Sequence, residues 1–295
     1  MKPYDGGAWV GVTRIDDAAA LRKGYDESGS RVMHLQKAVE PFDLFVRGIG
    51  IGPQVELVRY DPTAPLHARY CVDFFFVDGE EWSLMTDTVL TINAFFGWEF
   101  NSCEALRQNG TFYPIDFANA CPDFQVTSLH YHFPNMVKNM VRWSLFCAAT
   151  GRPMRKTLDW EPFYKIAEKD LPYRDRLRQY DAIARERMEA EKFRDFCHTH
   201  LSHLDEVAWE FFGTERAKEI VGQKVTALYP AHEIEKFTDH FFGLIQFWRK
   251  TERDRLDRVK AANATAAAPP ETPPIEAPKK KPSSPKKAKA TGSAS

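Results

Sequence analysis

Apolar and polar residues alternate with a period near two through much of the first 120 residues, which predicts strands over 32–39, 43–51, 54–60 and 71–77. Pro41 closes the first of these, and Gly50-Ile51-Gly52-Pro53 lies at the junction of the second and third. Asp78-Gly79 reads as the turn after the fourth. Two further apolar runs flank Asn109-Gly110, a pair that favours a tight two-residue hairpin. Asp16-Asp17 ahead of Ala18-Ala19-Ala20-Leu21 marks a short capped helix over 18–25. After residue 119 the period lengthens. Spaced apolar residues predict a helix over 135–150, and then helices over 173–197, 203–212, 214–229 and 231–259, broken at Pro172, Gly213 and Pro230. The expected fold class is α+β: an antiparallel sheet with packed helices, followed by a mostly helical C-terminal region. The expected divisions are a sheet-bearing region 1–155, a helical region 156–260 and a tail 261–295.

Composition adds three points. With 43% hydrophobic residues and seven Trp, the 295-residue chain can bury a substantial core. Its net charge of -1 hides an asymmetry, because the segment from Ala261 carries six Lys against two Glu and so +4, leaving -5 on residues 1–260. An acidic body is poorly matched to phosphate neutralisation and argues against nucleic acid as a partner. The Lys/Pro/Ala-rich tail is expected to be disordered. No apolar run reaches transmembrane length, and a secretory leader is not expected. The five Cys (71, 103, 121, 147 and 197) are odd in number, scattered and free of CxxC spacing, so reduced thiols and a cytoplasmic location are expected.

The hairpin around Asn109-Gly110 carries the most suggestive chemistry. Its antiparallel strands bring Glu104 close to Asp116 and Asn119, and two carboxylates with an amide oxygen are hard ligands of the kind Mg²⁺ takes beside phosphates. At the other end of the region, Lys2 precedes Gly6, Gly7 and Gly11, which allow backbone amides to approach an anion. This is neither a P-loop nor a dinucleotide fingerprint. The run Cys197-His198-Thr199-His200-Leu201-Ser202-His203 does not gather its ligands on one helical face, so solvated histidines are expected there rather than zinc.

Taken in order, these motifs resemble the C-terminal, nucleotide-gripping half of an ATP-grasp enzyme over the first 130 residues, nearest to the D-alanine–D-alanine ligase type. The resemblance implies ATP and Mg²⁺ as cofactors and an ATP-dependent carboxylate–amine ligase that works through an acylphosphate. It implies that Lys2, with Gly6, Gly7 and Gly11, matches a phosphate lysine and flexible loop. Gln36 and Val39 fall in a strand similar to the adenine hinge, and Asp43 where an acid takes the ribose hydroxyls. Arg69-Tyr70 matches a basic residue plus Tyr at the phosphates. Glu104, Asp116 and Asn119 resemble the metal ligands, and Pro122 and Ser128-Leu129 border the acyl-acceptor site. The roles implied in catalysis fall to Lys2, Arg69 and Ser128, with small-molecule carboxylates and amines as substrates.

Three departures accompany the resemblance. The family's acid-x-Asn is one residue longer here, Asp116-Phe117-Ala118-Asn119, so either a bulge restores Asn119 or the second acid works alone. The Arg that often stands two residues before the first metal acid is Ser102, and Arg47, Arg59 or Arg142 would have to compensate. The family's segments that precede the Lys2 position are not in this sequence, so an upstream segment or a partner chain is expected to complete the ATP site, and this chain alone to be inactive. The alternative is a non-catalytic scaffold built on the same half.

Overall fold

The alternating segments pair as antiparallel sheets in the computed structural model, which describes residues 1–5 and 10–267, the last six by backbone alone. Gly6, Gly7 and the tail from residue 268 onward lie outside the described residues. A small sheet joins β1 (Lys2–Pro3) to β2 (Met33–His34), with α1 (Ala18–Glu27) between them in the chain. Asp17 caps α1, accepting from the Ala20 amide at 2.7 Å. The main sheet comprises β3 (Leu44–Ile51), β4 (Gln54–Arg59), β5 (Phe100–Gln108) and β6 (Thr111–Ala120), in the spatial order β4-β3-β5-β6.

The helices are α2 (Gly79–Phe96), α3 (Val126–Leu129), α4 (Phe133–Thr150), α5 (Glu161–Ala167) and α6 (Tyr173–Arg187). They continue with α7 (Ala190–His200), α8 (Leu204–Phe211), α9 (Glu215–Thr226) and α10 (Ile234–Ala267). The architecture is α+β, with antiparallel sheets flanked by helices and a mostly helical C-terminal region. Met1–Glu252 form one compact unit, and Arg253–Ser295, which starts within α10, a second. Among the described residues no helix is long and apolar enough to cross a membrane.

The sheet is buried on both faces over much of its area. On one face α2 sets Met85 against Leu44, Val46, Leu57 and Ala105. Gly50 permits its close approach: a Cβ there would stand 2.3 Å from Asn93 Nδ2. On the other face α4 sets Met136, Trp143 and Phe146 against Ile49, Ile51 and Val58. Burying each such side chain contributes about 1.5–3 kcal/mol. Gly52, at φ +55°, passes directly under the Trp143 ring, where a Cβ would come within 2.4 Å. Because α4 covers only the Ile49–Ile51 end of this face, the polar residues toward the other end stay partly open.

Three expected elements differ. Residues 32–39 form a strand only at Met33–His34, since their sole partner among the described residues is the two-residue β1, and Leu35 stays 66% exposed. Residues 71–77 do not extend the sheet beyond a single Tyr60–Tyr70 bridge. Their aromatic and β-branched composition reads as strand, but Asp73 takes the Phe75 amide into a turn and pairs with Arg59 at 2.8 Å. Asp78-Gly79 is a helix start and not a hairpin turn. Asp78 Oδ1 accepts from the Glu80 and Glu81 amides at 2.9 and 2.8 Å, and Glu81 reaches back to the Asp78 amide, a reciprocal cap written in the sequence as Asp-x-x-Glu.

The single helix expected over 173–197 is also two, parted at Glu189 with φ 51°. Arg152 holds that break, donating to Glu189 Oε2 at 2.7 Å and to the Arg187 carbonyl at 2.9 Å. Met188 then turns into the cluster of Leu90, Ala94, Phe163 and Ala184 that joins α2, α5 and α6. Because α2 carries one face of the sheet, its cap is predicted to matter: Asp78→Ala should lower stability by about 1 kcal/mol, or about 2–4 °C in Tm. Thermal melts followed by circular dichroism measure this, and an unchanged melt would show that the cap contributes nothing.

Candidate functional site

The β5–β6 hairpin turns through Asn109 and Gly110 at φ 52° and 74°, the left-handed pair that a twisted two-residue turn requires. From that turn the register runs Gln108–Thr111, Arg107–Phe112, Leu106–Tyr113 and Ala105–Pro114. Pro114 cannot donate to the ladder, and β6 becomes irregular immediately after it. Glu104 pairs with Asp116, so Ile115 has no partner on β5, and its carbonyl accepts instead from Lys2 Nζ and Gln36 Nε2, each at 3.1 Å. A second irregularity follows, because four residues of β6 (116 to 119) span the three of β5 from Glu104 to Ser102. That extra residue returns Asn119 to the side of Asp116, and Asn119 Nδ2 donates to Asp116 Oδ1 at 3.1 Å.

On the neighbouring strand Arg47 is the register partner of Glu104, so Arg47, Glu104 and Asp116 form a row across β3, β5 and β6. Arg47 donates to Glu104 Oε1 and to the Tyr70 hydroxyl. Its guanidinium lies against the rings of both Tyr60 and Tyr70, 5.6 and 5.5 Å from their centroids. The Arg47 and Glu104 side chains are each 16% exposed. Burial raises the Glu104 carboxyl above the usual range, Arg47 draws it back, Asp116 pushes it further up and Lys2 opposes that push. Burial works against the Arg47 charge, but Glu104 and Tyr70 outweigh it and hold the guanidinium above its ordinary value. The Tyr70 phenol is pushed up to about 12 by burial, against the pull of Arg47, and stays neutral.

The structure thus brings together Lys2, Gln36, Glu104, Asp116 and Asn119. It sends others elsewhere. Asp43 is bound by Arg107 at 2.7 Å, which also holds Glu81, and this pairing lowers the Asp43 carboxyl below its ordinary range. Arg69 turns onto its own loop, donating to the Ala64 carbonyl at 3.1 Å, while its neighbour Tyr70 enters the row. Gly11 is exposed with φ +76°, Val39 is half-buried in the segment after β2, and Ser128 is half-buried in α3. Among the three arginines expected to stand in at the site, Arg59 meets Asp73 and Arg142 meets Asp205, and only Arg47 meets Glu104. A charged residue inside the buried strand LFVRGIGI was the signal that could have singled it out, since such a charge needs a partner.

The donor set suits a hard cation. Glu104 and Asp116 supply carboxylates, and with its nitrogen committed to Asp116, Asn119 has Oδ1 left to coordinate. Two buried polar atoms beside the row, Arg47 Nε and Ser102 Oγ, have no hydrogen-bond partner among the described residues. Among those residues no group of three or more His, Cys, Asp or Glu is placed to hold a metal ion. Comparison with known protein families, characterised proteins and solved structures finds no match to this chain.

The chain leaves the site through α3 into a buried turn, where His130 sits at φ 32° and His132 Nε2 lies 3.0 Å from the Cys71 carbonyl. Burial, with His132, His240 and His67 nearby, pushes His130 down to about 3, and burial pushes His132 down to about 4. Folded values below the unfolded one mean that the unfolded chain binds more protons in this window. Stability should therefore be full above about pH 6.5 and fall as the pH drops toward the folded values, by up to about 1.4 kcal/mol per pH unit for each His. Denaturant melts between about pH 7 and 4 test this, and His132→Gln should flatten the slope; a variant as acid-sensitive as the parent would refute the buried neutral His132.

Proposed function

We propose that the row of Glu104, Asp116 and Asn119 holds the polyphosphate of a nucleotide through Mg²⁺, and that the chain is the nucleotide-gripping part of an ATP-grasp-type carboxylate–amine ligase. The observation that carries this reading is the bulged register of β6, which sets an amide beside two cross-strand carboxylates with Lys2 and Arg47 flanking them. Mg²⁺, when bound, neutralises charge along the β–γ bridge, the main requirement of phosphoryl transfer. Lys2 and Arg47 add fixed positive charge at the same face, and Gln36 is tied to the β6 backbone beside it. In the proposed reaction a substrate carboxylate oxygen attacks the γ-phosphorus and ADP leaves. An amine then attacks the acyl carbon, inorganic phosphate leaves, and the amine proton passes to solvent. A cytoplasmic location, where ATP and reduced thiols coexist, belongs to this proposal, as does an upstream segment or partner that covers the other side of the nucleotide.

Asp43 and Arg69 are engaged with partners of their own, which favours a second reading: a non-catalytic scaffold on the same sheet. Titration of Mg-ATP into the full chain, together with ATP-dependent phosphate release, separates the two. The ligase reading expects Glu104→Ala and Asp116→Ala each to weaken Mg-ATP binding about 10- to 100-fold, the cost of one lost charge-assisted contact. Turnover that survives both substitutions would end the metal assignment, and Mg-ATP binding that stays absent when the upstream segment or partner is supplied would favour the scaffold.

A further inference from the structure

We propose that Arg47 is a built-in counter-ion that keeps a free divalent cation off Glu104 and admits one only together with a polyanion. This rests on the reading of Glu104, Asp116 and Asn119 as cation ligands. Arg107, Arg152 and Lys138 each meet two carboxylates: Asp43 and Glu81, Glu99 and Glu189, and Glu252 and Asp205. Arg47, comparably buried, meets one carboxylate and one neutral phenol. It is also held in place. The Tyr60 and Tyr70 rings pack against it, the Tyr70 hydroxyl accepts from one of its terminal nitrogens, and only 16% of its side chain is exposed.

The charges in the row balance: Arg47 and Lys2 against Glu104 and Asp116. A bare dication entering this half-buried row leaves a net +2 with a guanidinium already bonded to its intended ligand. In a medium of reduced dielectric that repulsion is large and little screened by salt. A cation that arrives with a triphosphate brings its own negative charge, and the positive side chains then become an attraction. Arg47 Nε and, further along the same face of β5, Ser102 Oγ are buried without a hydrogen-bond partner among the described residues. The row is thus set against the metal alone and in favour of the metal–polyphosphate, which enforces joint loading.

The test uses the full chain with Mn²⁺ as probe, followed by electron paramagnetic resonance, with and without inorganic tripolyphosphate. The parent chain should take up Mn²⁺ alone weakly and Mn²⁺ with tripolyphosphate much more tightly. Arg47→Gln should tighten Mn²⁺ alone about 10- to 100-fold, weaken Mn²⁺–tripolyphosphate, and lose the gain when combined with Glu104→Gln. An Arg47→Gln chain with unchanged affinity for Mn²⁺ alone, while the parent still binds Mn²⁺–tripolyphosphate, overturns the counter-ion role and leaves the metal site standing. No binding by either chain under either condition overturns both. If Arg47→Gln fails to fold by circular dichroism, Tyr70→Phe replaces it. That change releases one tether and should tighten Mn²⁺ alone a few-fold, and no change again overturns the proposal.

Discussion

A carboxylate on an inner strand of a sheet loses most of its hydration, and Glu104 on β5 is such a group. Taking it out of water is costly unless a partner charge meets it with good geometry. That partner is Arg47, one strand away in direct register, and much of the local structure exists to hold Arg47 there. Tyr60 follows β4, and Tyr70 returns after the 61–69 loop to bridge with it, so their neighbouring rings both pack against the guanidinium. The loop is therefore fastened to the sheet by the need to pair one charge. Its arginine, Arg69, tightens the loop from within, and this explains why Tyr70 and not Arg69 reaches the row.

A single irregular strand does comparable work on the other side of Glu104. Regular pairing would have placed Asn119 and Asp116 on opposite faces, since side chains alternate along a strand. The irregularities that follow Pro114 break that alternation, and they also free the Ile115 carbonyl, to which both Lys2 and Gln36 attach. The N-terminal segment and the hairpin are thus linked through one backbone oxygen released by the same defect that aligns the polar row.

The helical region supplies stiffness beneath this face. Lys138 on α4 is buried against Glu252 at 2.5 Å, with Asp205 at 3.2 Å and the Trp248 ring 5.3 Å away. Arg142, a turn further along α4, shares Asp205. A buried ion pair of this kind adds little net stability, but a packing that separated its members would strand a buried charge. It keeps α4 in one position against Ile49, Ile51 and Val58, the part of the sheet that continues directly into the Arg47–Glu104 row.

Local patterns were enough to determine the α+β class, the hairpin at Asn109-Gly110, the cap at Asp17 and the helical C-terminal region, because period, turn chemistry and capping act over a few residues. The sequence also held the Asp78-x-x-Glu81 box that starts α2, although the aromatic run before it read more strongly as a strand and its turn. The strand over 71–77 was misread for a related reason: strand propensity measures fitness for a pleated neighbour, and no neighbour was available there. The convergence of Glu104, Asp116 and Asn119 was readable as a possibility, because it depends on a hairpin whose ends are close in sequence. Which of Arg47, Arg59 and Arg142 joins them was decided by tertiary structure alone. So was the bulge that turns Asn119 inward, and so was the diversion of Asp43 to Arg107. The bulge depends on the register between β5 and β6, and the two arginine pairings join charges 57 and 64 residues apart; single-chain periodicity carries no information about either.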